Sequence, residues 1–215
     1  KVGIGAAVSV NSVRVKNDAK LGAASHSAGA VNIEALSLDV AKLMASPAST
    51  ATKSDVFLAS STSGAGAGKV GVAGSFALNL IDTESSAKID AGATVAISGN
   101  GAVGLTADNQ TDTTADAKPV GAGATGADFG IGASVGMNII ANRSVAELAD
   151  TAVLTGAGGV ALSATANHKV TTTAEAGSSG GVSLTPVLAL SLVNNTTTAR
   201  LGSGNTMATT GAVSV

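Results

Sequence analysis

An all-β fold is what this sequence predicts, of a repetitive β-solenoid (β-helix-like) kind with flattened, Gly/Ala-rich, close-packed strands. Three observations predict it. Four segments align with one another, large and small side chains alternate within them, and aromatic residues are nearly missing from a chain that holds 28 Gly. A thick globular core draws on aromatic and long aliphatic side chains. Here the interior has to be thin and drawn from Val, Ile, Leu and Ala.

The aligned segments are Val2–Asn11 (VGIGAAVSVN), Val70–Asn79 (VGVAGSFALN), Phe129–Asn138 (FGIGASVGMN) and Val182–Ser191 (VSLTPVLALS), with starts 68, 59 and 53 residues apart. Eight residues after each final Asn or Ser stands an Ala: Ala19, Ala87, Ala146 and Ala199. A charge and a Leu or Ile follow it, as Lys20-Leu21, Lys88-Ile89, Glu147-Leu148 and Arg200-Leu201. Further on comes a small pair and Val, at Val31, Val103, Val160 and Val213. The pattern defines one continuous array with repeats 1–68, 69–128, 129–181 and 182–215, the last incomplete. Repeats of this length bury their apolar faces by stacking on their neighbours.

The first motif alternates with the period of a strand. In the second repeat Val70, Val72, Phe76, Leu78 and Leu80 share one face, and Gly71, Ala73, Ser75 and Ala77 the other. Gly within a strand marks close approach of another backbone, so the small face is expected against a second layer of main chain. The large face is expected to fill the interior. Asn11, Asn79, Asn138 and Ser191 are expected to close this strand and to stack as an amide ladder or a repeated turn.

The second motif reads as a separate, half-exposed strand, with Ala146 and Leu148 on one side and Glu147 on the other. Stacking in register predicts an outer stripe of Lys20, Lys88, Glu147 and Arg200, with Glu147 between two cations. A short third strand is expected at Thr94–Ile97, Ala152–Leu154 and Thr206–Ala208, poorly formed in the first repeat at Ala24-Ser25-His26-Ser27. A fourth strand starts at the Gly-x-Val signal and runs into Thr-rich sequence. Gly-rich stretches (64–68, 121–126, 177–181) then lead to the next repeat. The spacing of Leu36, Val40, Leu43 and Met44 fits one face of a short helix within Leu36–Ala45. Pro186 signals a bulge or a sheet edge, because it has no N–H to give a ladder.

About 60 extended residues trace roughly 200 Å, and a round coil of that perimeter would be empty inside. Each repeat therefore makes two or three coils, or one flattened circuit whose walls touch. Sandwich modules and a membrane barrel are the other architectures considered. A barrel requires aromatic girdles, for which three Phe are too few.

The remaining composition narrows function. Mean hydropathy is +0.39 and the formal net charge −2, against the disorder signature of low hydropathy and high charge. Lys and Arg are spread singly, which leaves no basic stripe for nucleic acid or anionic lipid. No Cys is present, which rules out disulfides and thiolate zinc sites. No apolar run is long enough for a membrane-spanning helix. The first residues already read as strand, so the sequence is expected to be a piece of a longer polypeptide without its own signal peptide.

The usual site motifs carry no chemistry here. Gly66-Gly68-Gly71 and Gly121-Gly123-Gly126 match a dinucleotide fingerprint, but strands follow them where a helix is needed. His26 and His168 lack a second ligand at metal spacing. Asp108, Asp112 and Asp116 would stand about 13 Å apart along a strand, too far to share one calcium ion; Asp128 adds nothing to them. Sequons at Asn109, Asn142, Asn194 and Asn195 read as incidental in Thr-rich sequence. The expectation is a non-enzyme with no catalytic residues, cofactor or metal.

The recurrent GIGASVxxN, Ala-x-Leu/Ile and Gly-x-Val-x-Leu-x-Ala pattern resembles the repeats of giant bacterial filamentous adhesins, of the filamentous-haemagglutinin and leukotoxin-like type. The resemblance covers nearly the whole chain; the fourth repeat departs from it by losing the Gly alternation. It implies export from a Gram-negative cell, an extracellular or cell-surface location, and a rigid β-helical stalk serving adhesion. Its partners would be neighbouring repeats of the same longer chain, or further copies of itself, with a receptor the resemblance does not name. Two alternatives stand beside it. One is a self-assembling filament or biofilm-matrix subunit. The other is a carbohydrate-active β-helix, which needs a positioned acid and base that the scattered Arg14, Arg143 and Arg200 do not frame.

Overall fold

The computed structural model describes residues 1–37 and 54–215. These residues form fifteen strands in four rounds. The first repeat holds β1 (Val2–Leu21), β2 (Ser25–Ala28), β3 (Val31–Leu36) and β4 (Asp55–Gly66). The second holds β5 (Val70–Ile89), β6 (Thr94–Ile97) and β7 (Ala102–Thr125). The third holds β8 (Phe129–Leu148), β9 (Val153–Ala157), β10 (Gly159–Ala174) and β11 (Ser178–Ser179). The fourth holds β12 (Val182–Leu184), β13 (Val187–Leu201), β14 (Thr206–Thr209) and β15 (Val213–Ser214).

The strands build three parallel sheets. A front sheet runs β1-β5-β8, with β12 and β13 both on β8; a short sheet runs β2-β6-β9-β14; and a return sheet has β7 paired with β3, β4, β10 and β11, and β10 with β15. Each repeat visits the three sheets in the same order. Equivalent residues lie opposite one another: Val8 faces Phe76, Phe76 faces Val135, and Val135 faces Leu188. One repeat therefore makes one circuit, and the circuit is flattened.

At one end all three sheets enclose an aliphatic core. Ile89 and Leu148 from the front sheet, Val95 and Leu154 from the short sheet, and Val103 and Leu105 from the return sheet are fully buried there. Burying a side chain of this size stabilises by about 1.5–3 kcal/mol. At the other end front and return sheets touch directly, through Ala59, Ala77, Ala115 and Ala117. A Cβ on Gly71 would overlap the Thr125 carbonyl, one on Gly132 the Gly177 carbonyl, and one on Gly136 would stand 2.6 Å from the Thr173 oxygen. Main chain packs on main chain, as the small face predicts.

The large face points the other way from expectation. Val2, Ile4, Val8 and Val10 are exposed, while Gly3, Gly5 and Ala7 point inward. The gap between touching walls admits only small side chains, so Val, Phe and Leu of the first motif are outside. The first and second motifs also belong to one 20-residue strand, β1, β5 or β8. The Asn positions are thus mid-strand and close nothing. The first repeat does form its short strand, with Ser25–Ala28 paired to Thr94–Ile97, and the third repeat's begins at Val153. Leu36 ends a strand; the rest of the segment read as a helix lies outside the described residues. Pro186 falls between β12 and β13; its carbonyl accepts from Ser134 of β8 at 3.1 Å, so its missing N–H faces the same neighbour, and the pairing with β8 breaks there, the bulge that the sequence signals.

Candidate functional site

The most ordered polar feature lies inside the flattened circuit. Asn11, Asn79, Asn138 and Ser191 occupy one register position across the front sheet. Asn11 Nδ2 donates to Asn79 Oδ1 at 3.0 Å, and Asn79 Nδ2 to Asn138 Oδ1 at 2.8 Å. Each amide also crosses to the opposite wall of its own circuit. Asn11 donates to the Leu58 carbonyl at 2.6 Å, Asn79 to that of Thr114 at 2.8 Å, and Asn138 to that of Thr171 at 2.8 Å. Asn79 and Asn138 are wholly buried. Burying an unpartnered amide is costly, and here both its N–H groups and its oxygen are engaged. Each amide therefore ties its circuit to the next and the front wall to the return wall. In the last row Ser191 lacks the amide, and its hydroxyl meets Thr172.

A second buried row went unnoticed in the sequence. Thr83 Oγ1 donates to Asn142 Oδ1 at 2.8 Å, and Asn142 Nδ2 to Asn195 Oδ1 at 2.9 Å. From the return sheet Asn109 donates to the Arg143 carbonyl at 2.8 Å. Only its position on the inward-facing odd or even phase would have flagged it. Asn109 and Asn142, read as incidental sequons, are thus buried in the interior, and Asn195 extends their row onto the exposed last strand. Ala19, Ala87, Ala146 and Ala199 stack in register at the wide end, against the aliphatic core.

Outside, the later half of the front sheet carries charges that alternate between circuits. Asp82 lies 3.4 Å from Arg14 on one side and 3.1 Å from Arg143 on the other. Glu84 takes Lys16 at 4.0 Å and Arg143 at 3.4 Å. Glu147 sits between Lys88, at 3.7 Å, and Arg200. Lys20, in register with the like-charged Lys88, turns to Asp90 at 3.9 Å. Each exposed pair is worth about 0–1 kcal/mol.

The other candidates remain apart. Asp112 pairs with Lys169 and Asp116 with Lys118, at 3.1 and 3.2 Å. Asp108 accepts from Thr165 and Gln110 at 2.8 and 2.7 Å. Among the described residues no cluster of His, Asp and Glu gathers to hold a metal. His26 Nε2 lies 2.9 Å from the Gly22 carbonyl, and His168 Nδ1 3.0 Å from Thr111 Oγ1. Burial pushes the His168 imidazole below its ordinary pKa, with the Asp108 carboxylate pulling the other way. The backbone N–H of Ser203 and then nearby Arg200 hold the Asp150 carboxyl below the usual range. No helix among the described residues is long and apolar enough to cross a membrane. Comparisons with protein-family models, curated proteins and solved structures find no match to this chain.

Proposed function

We propose that this chain is a β-solenoid stalk segment of a large secreted or surface-attached bacterial adhesin, acting as a rigid, extended, non-catalytic scaffold. One observation carries the reading: three parallel sheets continue in register through all four repeats, with one circuit per repeat. In such a stack length grows by about 4.8 Å per repeat while the cross-section stays fixed. Two interior amide rows and the outer charge rows all run along that axis, and they resist sliding of one circuit on another. Asp82, Glu84 and Glu147 are each held by Arg or Lys in ion pairs that cross from one circuit to the next. The motif resemblance to filamentous-adhesin repeats supplies the cellular setting.

The test is a tandem duplication of residues 69–181. Small-angle scattering should show the stack, about 19 Å tall, grow by about 10 Å along its axis while its widest dimension, set by the 20-residue front strands, stays fixed. A wider particle, or two independent globules, would reject the stalk. Electron microscopy should show single rods; end-to-end fibres would favour the matrix-filament alternative. Antibody against the segment should label intact source cells or their medium, and staining confined to permeabilised cells would overturn the location.

A further inference from the structure

The outward face of the front sheet's first half is apolar across all four rows. β1 presents Val2, Ile4, Val8 and Val10; β5 Val70, Val72, Phe76 and Leu78; β8 Phe129, Ile131, Val135 and Met137; the last row Val182, Leu184, Leu188 and Leu190. Many are largely open to solvent, with Ile4 78%, Val8 71% and Leu184 58% exposed. The outward face of the return sheet is built quite differently. β7 presents Thr106, Asp108, Gln110, Asp112, Thr114 and Asp116, and β10 Thr165, Asn167, Lys169 and Thr171. Stacking alone is thus compatible with a polar outer face, and the apolar one is not needed for the interior.

We infer that this face is an interface with a second copy of the chain, packed front sheet against front sheet. With the exposed Leu80, Ile139 and Leu192, which extend three of the rows, the face spans ten residue steps, about 33 Å, and four rows, about 19 Å, which gives roughly 630 Å² per copy before side-chain relief is counted. The two copies together bury about 1,260 Å² on that footing, at the lower bound of stable interfaces, and each further repeat would add about 160 Å² per copy. A flat sheet with rows of large side chains 4.8 Å apart matches the ridges of an identical sheet, the geometry of face-to-face β packing. A two-fold axis closes such a pair without further growth. Charges border the patch, at Lys1, Lys69 and Asp128 on one side and Arg14 and Asp82 on the other, which gives the apolar centre and polar rim of a protein interface. The mixed signs of that border supply no pull toward anionic lipid. This pairing goes beyond the stalk reading and does not depend on it: rods can pair side by side whatever they carry.

The test uses the whole chain in analytical ultracentrifugation. A concentration-dependent dimer is expected, weakened about tenfold or more by Val135→Glu, which lies at the centre of the patch, and unaffected by Thr114→Lys on the return sheet. Circular dichroism and a melting curve establish that the variants stay folded. With no native Cys in the chain, Val135→Cys should cross-link two copies on mild oxidation, and Thr114→Cys should not. A wild-type monomer at every concentration would overturn the proposal. So would a dimer indifferent to Val135→Glu, cross-linking only through Thr114→Cys, or capture by neutral phosphatidylcholine vesicles in place of pairing.

Discussion

Leu105 and Gly132 both face the interior, at opposite ends of the same flattened circuit, and they hold it in different ways. Around Leu105 three sheets leave room for aliphatic side chains, and burial of Ile89, Leu148, Val95, Leu154 and Val103 stabilises in proportion to area. Around Gly132 two walls touch, and there is no volume to fill. There the stack relies on main-chain ladders, on Ala, and on amides that bridge the walls. One end tolerates no loss of volume, and the other tolerates no gain. A repeat protein can thus be thin without a large core, provided that every small residue falls on the inner phase of its strand.

The contrast can be broken most strongly at the wide end. Leu148→Ala should cost about 2–5 kcal/mol in denaturant melts, because fixed sheets on three sides cannot collapse into the space left. At the narrow end Gly132→Ala should cost about 1–3 kcal/mol by forcing the walls apart. Gly68→Ala, where nothing stands within 4 Å of a new Cβ, should leave the midpoint unmoved. Equal losses at the two glycines would refute the close approach as the reason for Gly132.

Next comes the amide row. Asn79→Ala strands the Thr114 carbonyl, the Asn138 oxygen and the Asn11 amide, and should cost about 1–3 kcal/mol. Asn167→Ala, on the exposed outer face of β10, should stay within about 0.5 kcal/mol. The smallest effect is expected at Asp150. Its lowered carboxyl contributes stability that is present above the ordinary carboxylate pKa and lost as pH falls through the lowered value. Asp150→Asn should lower stability slightly at neutral pH, and the two proteins should converge as pH falls through the lowered carboxyl pKa.

How much of this was legible differs between the ends. Repeat spacing was readable at single-residue accuracy: starts at Val2, Val70, Phe129 and Val182 are register partners. A one-residue slip would turn every side chain to the wrong face, so the pattern has to be strict. The Gly/Ala/Ser face correctly signalled a touching backbone. The side on which the bulky residues fall was not readable, since alternation identifies two faces without saying which is inside. Large side chains normally mark the core, but wall separation is set by the partner strand and is invisible in either strand alone. The inward phase is constant along the strand, but the apolar residues move onto it midway. Leu80 points out and Ile81 in, as do Ile139 and Ile140. That swap of apolar residues between phases looks like a strand end, which is why one long strand was read as two motifs. The Thr83, Asn142 and Asn195 row was hidden because Thr and Asn ordinarily signal turns and surface.

The buried amides have a direction. Asn11 donates to Asn79 and Asn79 to Asn138, so the row is polar, like a line of magnets laid head to tail. A unit carrying the same Asn and inserted in the same sense between the rows of Asn11 and Asn138 finds a donor and an acceptor waiting. A unit inserted in reverse would set two donors nose to nose in a dry interior. Insertion or loss of whole repeats therefore keeps the direction of this row, whereas a shift by an odd number of residues turns its side chains to the opposite face.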